Sequence, residues 1–179
     1  ADRLRHLRRT AHELGDSVLQ SVFLEKFGEY LNKIECQFGD VLEIPLTNGF
    51  FEKNDKYGEG NPIVWVDNLY HTNIIDTKNL RRVQVAQKDL DKYAVIEGDL
   101  LFTRSSLVAE GVGRANIVPK LEEQTMFESH VIRARVDKKK INPFFALGLF
   151  RSQFGISEMM KRAKTATMTT IGQDTLYEF

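Results

Sequence analysis

The sequence holds a single cysteine, Cys36, and no surplus of charge of either sign. It also lacks any apolar run long enough to cross a bilayer. One thiol cannot close an internal disulfide, so a disulfide-stapled scaffold is excluded and a reducing, cytoplasmic setting is expected. Without a spanning run or a signal-peptide pattern, no membrane association is expected. Lys and Arg number 25, as do Asp and Glu, for a net charge of zero. Neutralising phosphates normally takes a basic surplus, so this balance counts against a stand-alone nucleic-acid binder, though not against a local basic surface.

Patterns that carry chemistry are missing too. The four histidines, His6, His12, His71 and His130, show no His-x-x-x-His spacing, and Cys-x-x-Cys is impossible, so no metal site is expected. Ser105 and Ser106 lack the Gly-x-Ser-x-Gly elbow. Gly111-Val112-Gly113 is followed neither by a third glycine at dinucleotide spacing nor by a P-loop Lys-Ser/Thr. Cys36 has no local partner and reads as a core thiol rather than a nucleophile. Asn142-Pro143-Phe144-Phe145 looks like the Asn-Pro-Pro-Tyr/Phe motif of adenine-N6 methyltransferases, but the second proline and an upstream glycine-rich strand are absent. A helix cap, Asn with Pro at the first helical position, accounts for it. There are no internal repeats and no low-complexity tracts. None of these patterns yields a catalytic site.

What is there suits one domain plus an appendage. The length is 179 residues, and 42% apolar content with 12 phenylalanines suffices for a core. Residues 2 to about 31 read as one helix. Leu4, Leu7, Ala11, Leu14 and Val18 form a narrow a/d stripe that calls for a partner helix, because isolated helices are marginal in water. Packing on the chain's own domain is the plainer reading for this half. The stripe widens at Val22, Phe23 and Phe27, where self-packing is preferred. The chain opens in mid-pattern and closes on Leu176-Tyr177-Glu178-Phe179 without a cap, so it is expected to be a piece of something longer.

Beyond residue 34, strands are expected at 41–46, 63–66, 73–76, 94–96 and 126–136. A turn is expected at 47–49, a polar loop at 52–62 and a helical turn at 89–93. Residues 98–118 read as a rigid hairpin: Leu100–Phe102, a polar tip at Thr103–Ser106, a glycine turn, then a second strand. One helix is expected after Asn142-Pro143 and another over 157–164, followed by a loop over 165–170. Arg104 and Arg114 flank the hairpin, and Lys161, Arg162 and Lys164 precede a run of threonines. Basic residues fix a backbone register, while Arg, Thr, Ser and Asn on loops reach base edges. A solvated basic helix end is the plainer reading of any one of these residues.

Taken in order, these segments resemble the specificity subunit of type I restriction-modification systems. The stretch from Ala1 to Gly28 is similar to the end of that family's spacer helix, and Phe38–Ile44 to the opening of its target recognition domain. Pro62–Leu69, Glu97–Ser105 and Thr165–Leu176 resemble later segments of the same domain. The resemblance implies sequence-specific reading of one half of a split double-stranded DNA site. Methyltransferase and restriction subunits would be the partners. They would carry S-adenosylmethionine, ATP and Mg, with no cofactor on this chain.

It implies an α+β fold: a spacer helix tail over 1–31, then a recognition domain over 32–179. The domain would hold a mixed, strongly curved sheet with flanking helices and the hairpin near its centre. DNA would be approached by Asn48, Lys53, Lys56, Tyr57, Arg104, Ser105, Ser106, Arg114, Lys161, Arg162, Lys164, Thr165, Thr167 and Thr169. A helical assembly module that does not touch DNA is the alternative.

Overall fold

The fold was analysed in a computed structural model. It describes residues 2–33, 35–51, 56–70, 73–106, 111–165 and 168–179, with only the backbone of Arg5, Arg8, Arg9, His12, Glu13, Asp16, Asn32 and Thr165. Uninterrupted by proline, Asp2–Phe27 forms helix α1. Gly28, a poor helix former, ends it, and Gly28–Lys33 continues as a 3-10 turn, so the helix is shorter than the pattern predicts. The second half of α1 docks: Phe23 is buried and its ring lies 5.5 Å from that of Phe145. In the first half Leu4, Leu7, Leu14 and Val18 are 53–64% exposed, and Ala11 is exposed too.

The strands are β1 (Leu42–Asn48), β2 (Tyr57–Val64), β3 (Arg81–Val83), β4 (Ala94–Val95), β5 (Leu100–Thr103), β6 (Ser105–Ser106), β7 (Ala115–Ile117), β8 (Thr125–Phe127), β9 (Val131–Val136), β10 (Lys164–Thr165) and β11 (Thr169–Thr170). They form three sheets, ordered β1-β9-β5-β7, β3-β2-β8-β4 and β10-β11-β6. This corrects the expectation of one strongly curved sheet. Two breaks cause the division. The run 126–136, expected as one strand, is split at Glu128–His130, so β8 and β9 enter different sheets. Arg104 separates β5 from β6 in the same way. The first sheet is antiparallel throughout, and the hairpin of β5 and β7 pairs Leu100 with Ile117. The second is mixed, through the parallel pair β2–β8.

Two loop expectations are also corrected. Residues 57–62 belong to β2, where Tyr57 and Asn61 both face Val83 around a bulge. Gly60 sits at φ +91° there, and a Cβ on it would lie 2.4 Å from the Val83 carbonyl oxygen, so the glycines that suggest a loop instead make the bulge possible. Residues 164–165 and 169–170 are paired strands, in keeping with the β-propensity of threonine.

The helices are α2 (Gln87–Tyr93), α3 (Pro143–Arg151), α4 (Gln153–Arg162) and α5 (Gln173–Tyr177). Asn142 caps α3, its Oδ1 accepting from the Phe144 N–H at 2.8 Å. Ser152 caps α4 through the Gly155 N–H, so this helix starts four residues earlier than expected.

The first sheet is the middle layer. Leu100, Phe102, Ile132 and Ala134 face Leu147 and Phe150 of α3, Met159 of α4 and Leu176 of α5. The alternate residues Leu101 and Val131 face Val64 and Phe127 of the second sheet. Leu90 of α2 covers that sheet's far side with Ile63, Val83 and Met126. Cys36, expected in the core, is exposed.

Candidate nucleic-acid interface

Backbone hydrogen bonds place the candidate surface where the three short strands meet the hairpin. Arg104 has no sheet neighbours of its own. Its N–H donates to the His130 carbonyl at 2.8 Å, and its carbonyl accepts from the Ile171 N–H at 2.9 Å. The second bond binds the end of the hairpin strand to the end of β11. Strand β11 pairs on one side with β10 (Lys164 opposite Thr170) and on the other with β6 (Thr170 opposite Ser105). Lys164, Thr170 and Ser105 thus stand in one cross-strand row, since neighbours in register share a face. The next row, Thr169 and Ser106, is buried.

Beside the first row lies a cleft of about 240 Å³, lined by Asn48, Arg104, Arg162, Lys164, Thr170, Gln173 and Asp174 among others. Asn48, Arg104, Arg162, Lys164 and Thr170, scattered in sequence, therefore border one surface. Arg104 is exposed, and its Nη1 donates to the Ser129 carbonyl at 3.4 Å. Among the described residues neither Arg104 nor Lys164 has a carboxylate partner. Arg162 and Lys161 do: Glu158 lies 3.5 Å from the Arg162 Nη1 and 2.5 Å from the Lys161 Nζ. The hydrogen bond from Lys161 is the main cause holding the Glu158 carboxyl below its usual range. Asp174 is the acid of the cleft itself. The Oδ1 of Asn48 is shielded from solvent without a hydrogen-bond partner.

A turn that sequence reasoning missed braces this surface. The buried Glu128 carboxylate accepts from the backbone N–H of His130 at 2.8 Å and of Val66 at 3.2 Å. His130 is exposed at the turn's end, and its Nδ1 lies 2.9 Å from the Ser105 Oγ. Gly49 packs so closely on this turn that a Cβ would come within 2.1 Å of the Glu128 carbonyl oxygen. Asn48, Arg104 and His130 are thereby held on one rigid base.

Other expected site residues lie elsewhere. Ser106 and Thr169 are buried, which corrects their assignment as contact residues, because strand alternation turns them inward. The Arg114 Nε donates to the Leu69 carbonyl at 3.0 Å, a bond that braces the chain, and Arg114 does not line the cleft. Tyr57, at the start of β2, meets the Trp65 ring edge-on at 5.4 Å, with the exposed Lys56 before it. Lys53 and Thr167 lie outside the described residues, as does the side chain of Thr165. Thr170, within the stretch 161–170 expected to approach DNA but not singled out there, lines the cleft, as does Gln173, which was not expected. Applying strand periodicity from Lys164 onward finds Thr170, whereas nothing in the local sequence signals His130.

Among the described residues no group of His, Cys, Asp and Glu is placed to hold a metal ion, and no helix is long and apolar enough to cross a membrane.

No family model matches the chain. Over 123 residues, 68% of its length, it is 28% identical to the type I restriction enzyme EcoKI specificity subunit of Escherichia coli, covering 26% of that protein. Over 112 residues it is 30% identical to the putative type I restriction enzyme MjaX specificity subunit of Methanocaldococcus jannaschii, again covering 26%. Among solved structures, 99% of the chain aligns with 42% of a chain from a type I R-M system complex, with a TM-score of 0.65 and 16% identity. It aligns equally fully with 41% of the HsdS subunit from Thermoanaerobacter tengcongensis, with a TM-score of 0.57 and 15% identity. These likenesses to solved structures are of fold. The chain spans about a quarter of the length of the curated relatives it matches. Sequence and fold agree on one family: the chain resembles a portion of the specificity subunit of type I restriction-modification systems.

Proposed function

We propose that this chain reads DNA sequence as the target recognition part of a type I specificity subunit and performs no catalysis itself. The observation that carries the reading is the convergence of Arg104, Arg162 and Lys164 with Thr170 and Asn48 on one rigid cleft. Exposed cations at strand edges engage phosphates, and the amide and hydroxyl groups between them suit base edges. Residues 1–31 act as the tail of a spacer helix and residues 32–179 as the recognition domain. Methyltransferase and restriction subunits are the protein partners and carry S-adenosylmethionine, ATP and Mg. Together with the absence of any membrane span among the described residues, this role fits a cytoplasmic protein.

The test is selection from a randomised duplex pool by the full chain, alone and with its methyltransferase partner. Enrichment of one half-site, with affinity that falls steeply with salt, supports the reading. Each phosphate neutralised contributes about 0.9 to the slope of log affinity against log salt. Binding that enriches no sequence under either condition overturns it.

The second reading, a helical assembly module, is favoured by one observation: the exposed Leu4, Leu7, Leu14 and Val18 stripe. It gains if the chain captures the methyltransferase subunit while neither the chain nor the complex selects DNA.

A further inference from the structure

On the far side of Ser105 from the basic cleft lies an open, mostly apolar hollow of about 570 Å³. Val66, Tyr70 and Met168 supply its apolar wall, and Ser105 and His130 its polar rim. The rim is fixed from three directions. The Glu128 carboxylate accepts from the His130 N–H at 2.8 Å, the His130 carbonyl accepts from the Arg104 N–H at 2.8 Å, and Ser105 Oγ meets the imidazole at 2.9 Å. The other ring nitrogen, Nε2, has no partner among the described residues. Arg104, next in sequence to Ser105, belongs to the basic cleft, so cleft and hollow share one edge.

We infer that this hollow and its rim form a thymine-reading site; the inference rests on the DNA-recognition reading above. An apolar wall beside a fixed hydrogen-bonding rim fits a ligand edge carrying a polar atom next to a methyl group. Of the four bases only thymine presents that pair in the major groove, O4 as acceptor and the C5 methyl beside it. With the Ser105 hydroxyl donating to Nδ1, the neutral imidazole carries its hydrogen on Nε2 and donates it to O4. The methyl then rests against Met168, Tyr70 and Val66. The adjoining cations Arg104 and Lys164 hold the flanking phosphates and set the depth of approach. His130 and Met168 are thus specificity-determining residues, and Ser105 positions the ring of His130.

The test uses the full chain and the half-site it selects. Each thymine of that site is replaced in turn by deoxyuridine, which lacks only the methyl. In the unaltered protein one replacement should weaken binding about four-fold, the effect of exposing one buried methyl-sized group. In Met168→Ala that penalty should vanish at the same position. In His130→Ala the preference for thymine over the other bases at that position should relax. A selected site without thymine, or one in which no methyl is sensed, overturns the inference while DNA recognition stands. So does a methyl penalty that persists in both variants. If no sequence is selected at all, the recognition reading falls and this site with it.

Discussion

Glu158 is the acid that holds two cations of the candidate interface, so its removal should strengthen DNA binding. The Lys161 Nζ lies 2.5 Å from one of its oxygens and the Arg162 Nη1 3.5 Å from the other. A phosphate approaching the cleft must compete with this carboxylate for both. Exposed ion pairs are worth about 0.2–1 kcal/mol each. Glu158→Gln therefore frees about 0.4–2 kcal/mol of cation capacity, equivalent to roughly two- to thirty-fold tighter binding. The gain should be largest at low salt and fade as the Debye length falls below about 8 Å. The assay is fluorescence anisotropy with a labelled duplex across a salt series. Glu122→Gln serves as control, since it removes the same formal charge from an exposed loop between β7 and β8 that does not border the cleft. If both variants tighten binding equally, net charge and not the cleft is responsible. If Glu158→Gln binds no better than the unaltered chain, phosphates do not pass Lys161 and Arg162, and the placement of DNA on this surface is refuted.

Three further outcomes follow from the scaffold. Asp99 is fully buried and receives the Arg135 Nε at 2.8 Å and Nη2 at 2.9 Å, so Asp99→Ala strands a half-buried guanidinium. Urea unfolding should show a loss of about 3–5 kcal/mol, and a loss under 1 kcal/mol would mean that the hairpin does not depend on this pair. Phe23→Ala should detach the second half of α1 from α3 at a cost of about 3 kcal/mol, seen as faster amide exchange in residues 19–27. Unchanged exchange there would refute the docking. Hydrogen bonds from Arg82 and Lys161 hold the carboxyls of Glu123 and Glu158 below their usual range, so the folded state binds fewer protons than the unfolded chain. Their contribution is complete above the ordinary carboxylate value and is lost as pH falls through the depressed folded values. The double variant Glu123→Gln, Glu158→Gln should flatten the acid limb of Tm against pH, and an identical limb refutes the linkage.

Much of the architecture is legible in the sequence where one local force dominates. The hairpin at 98–118 is readable because Leu100–Phe102 is apolar on both faces, Ala115 and Ile117 are apolar on one, and Gly113 between them adopts φ +69°. The cap at Asn142 is readable because the Asn-Pro pair acts within one turn. The division into sheets is not readable. It depends on Glu128, whose carboxylate must find the Val66 N–H, 62 residues away, before the run 125–136 breaks into two strands. Strand β2 is obscured because glycine marks a loop and a bulge alike, and only the pairing with Val83 tells them apart. At the site, Arg104, Arg162 and Lys164 were singled out by residue type and the structure brings them to one cleft, but the sequence does not tell which threonines face outward. That depends on the register of strands two residues long, fixed only when Ile171 reaches the Arg104 carbonyl.

A net charge of zero and a local basic surface coexist here because the scaffold neutralises its own arginines. Arg135 of the first sheet is engaged by Asp99, and Arg82 and Arg81 of the second sheet by Glu123 and Asp67. Arg133 is buried with no carboxylate in hydrogen-bond contact among the described residues, donating to the Ala94 carbonyl at 2.6 Å at the end of α2, and burial pushes its pKa down. These guanidiniums tie strands and turns together, Arg133 and Arg135 largely out of solvent and Arg81 and Arg82 in exposed ion pairs. Arg104 and Lys164, which have no carboxylate partner among the described residues, both line the cleft, with Arg162 only loosely held by Glu158. The overall balance in the sequence therefore says little about where the field is positive. What decides it is which cations the fold holds against acids, and Arg104 and Lys164, which it does not hold so among the described residues, stand beside the row of Thr170 and Ser105.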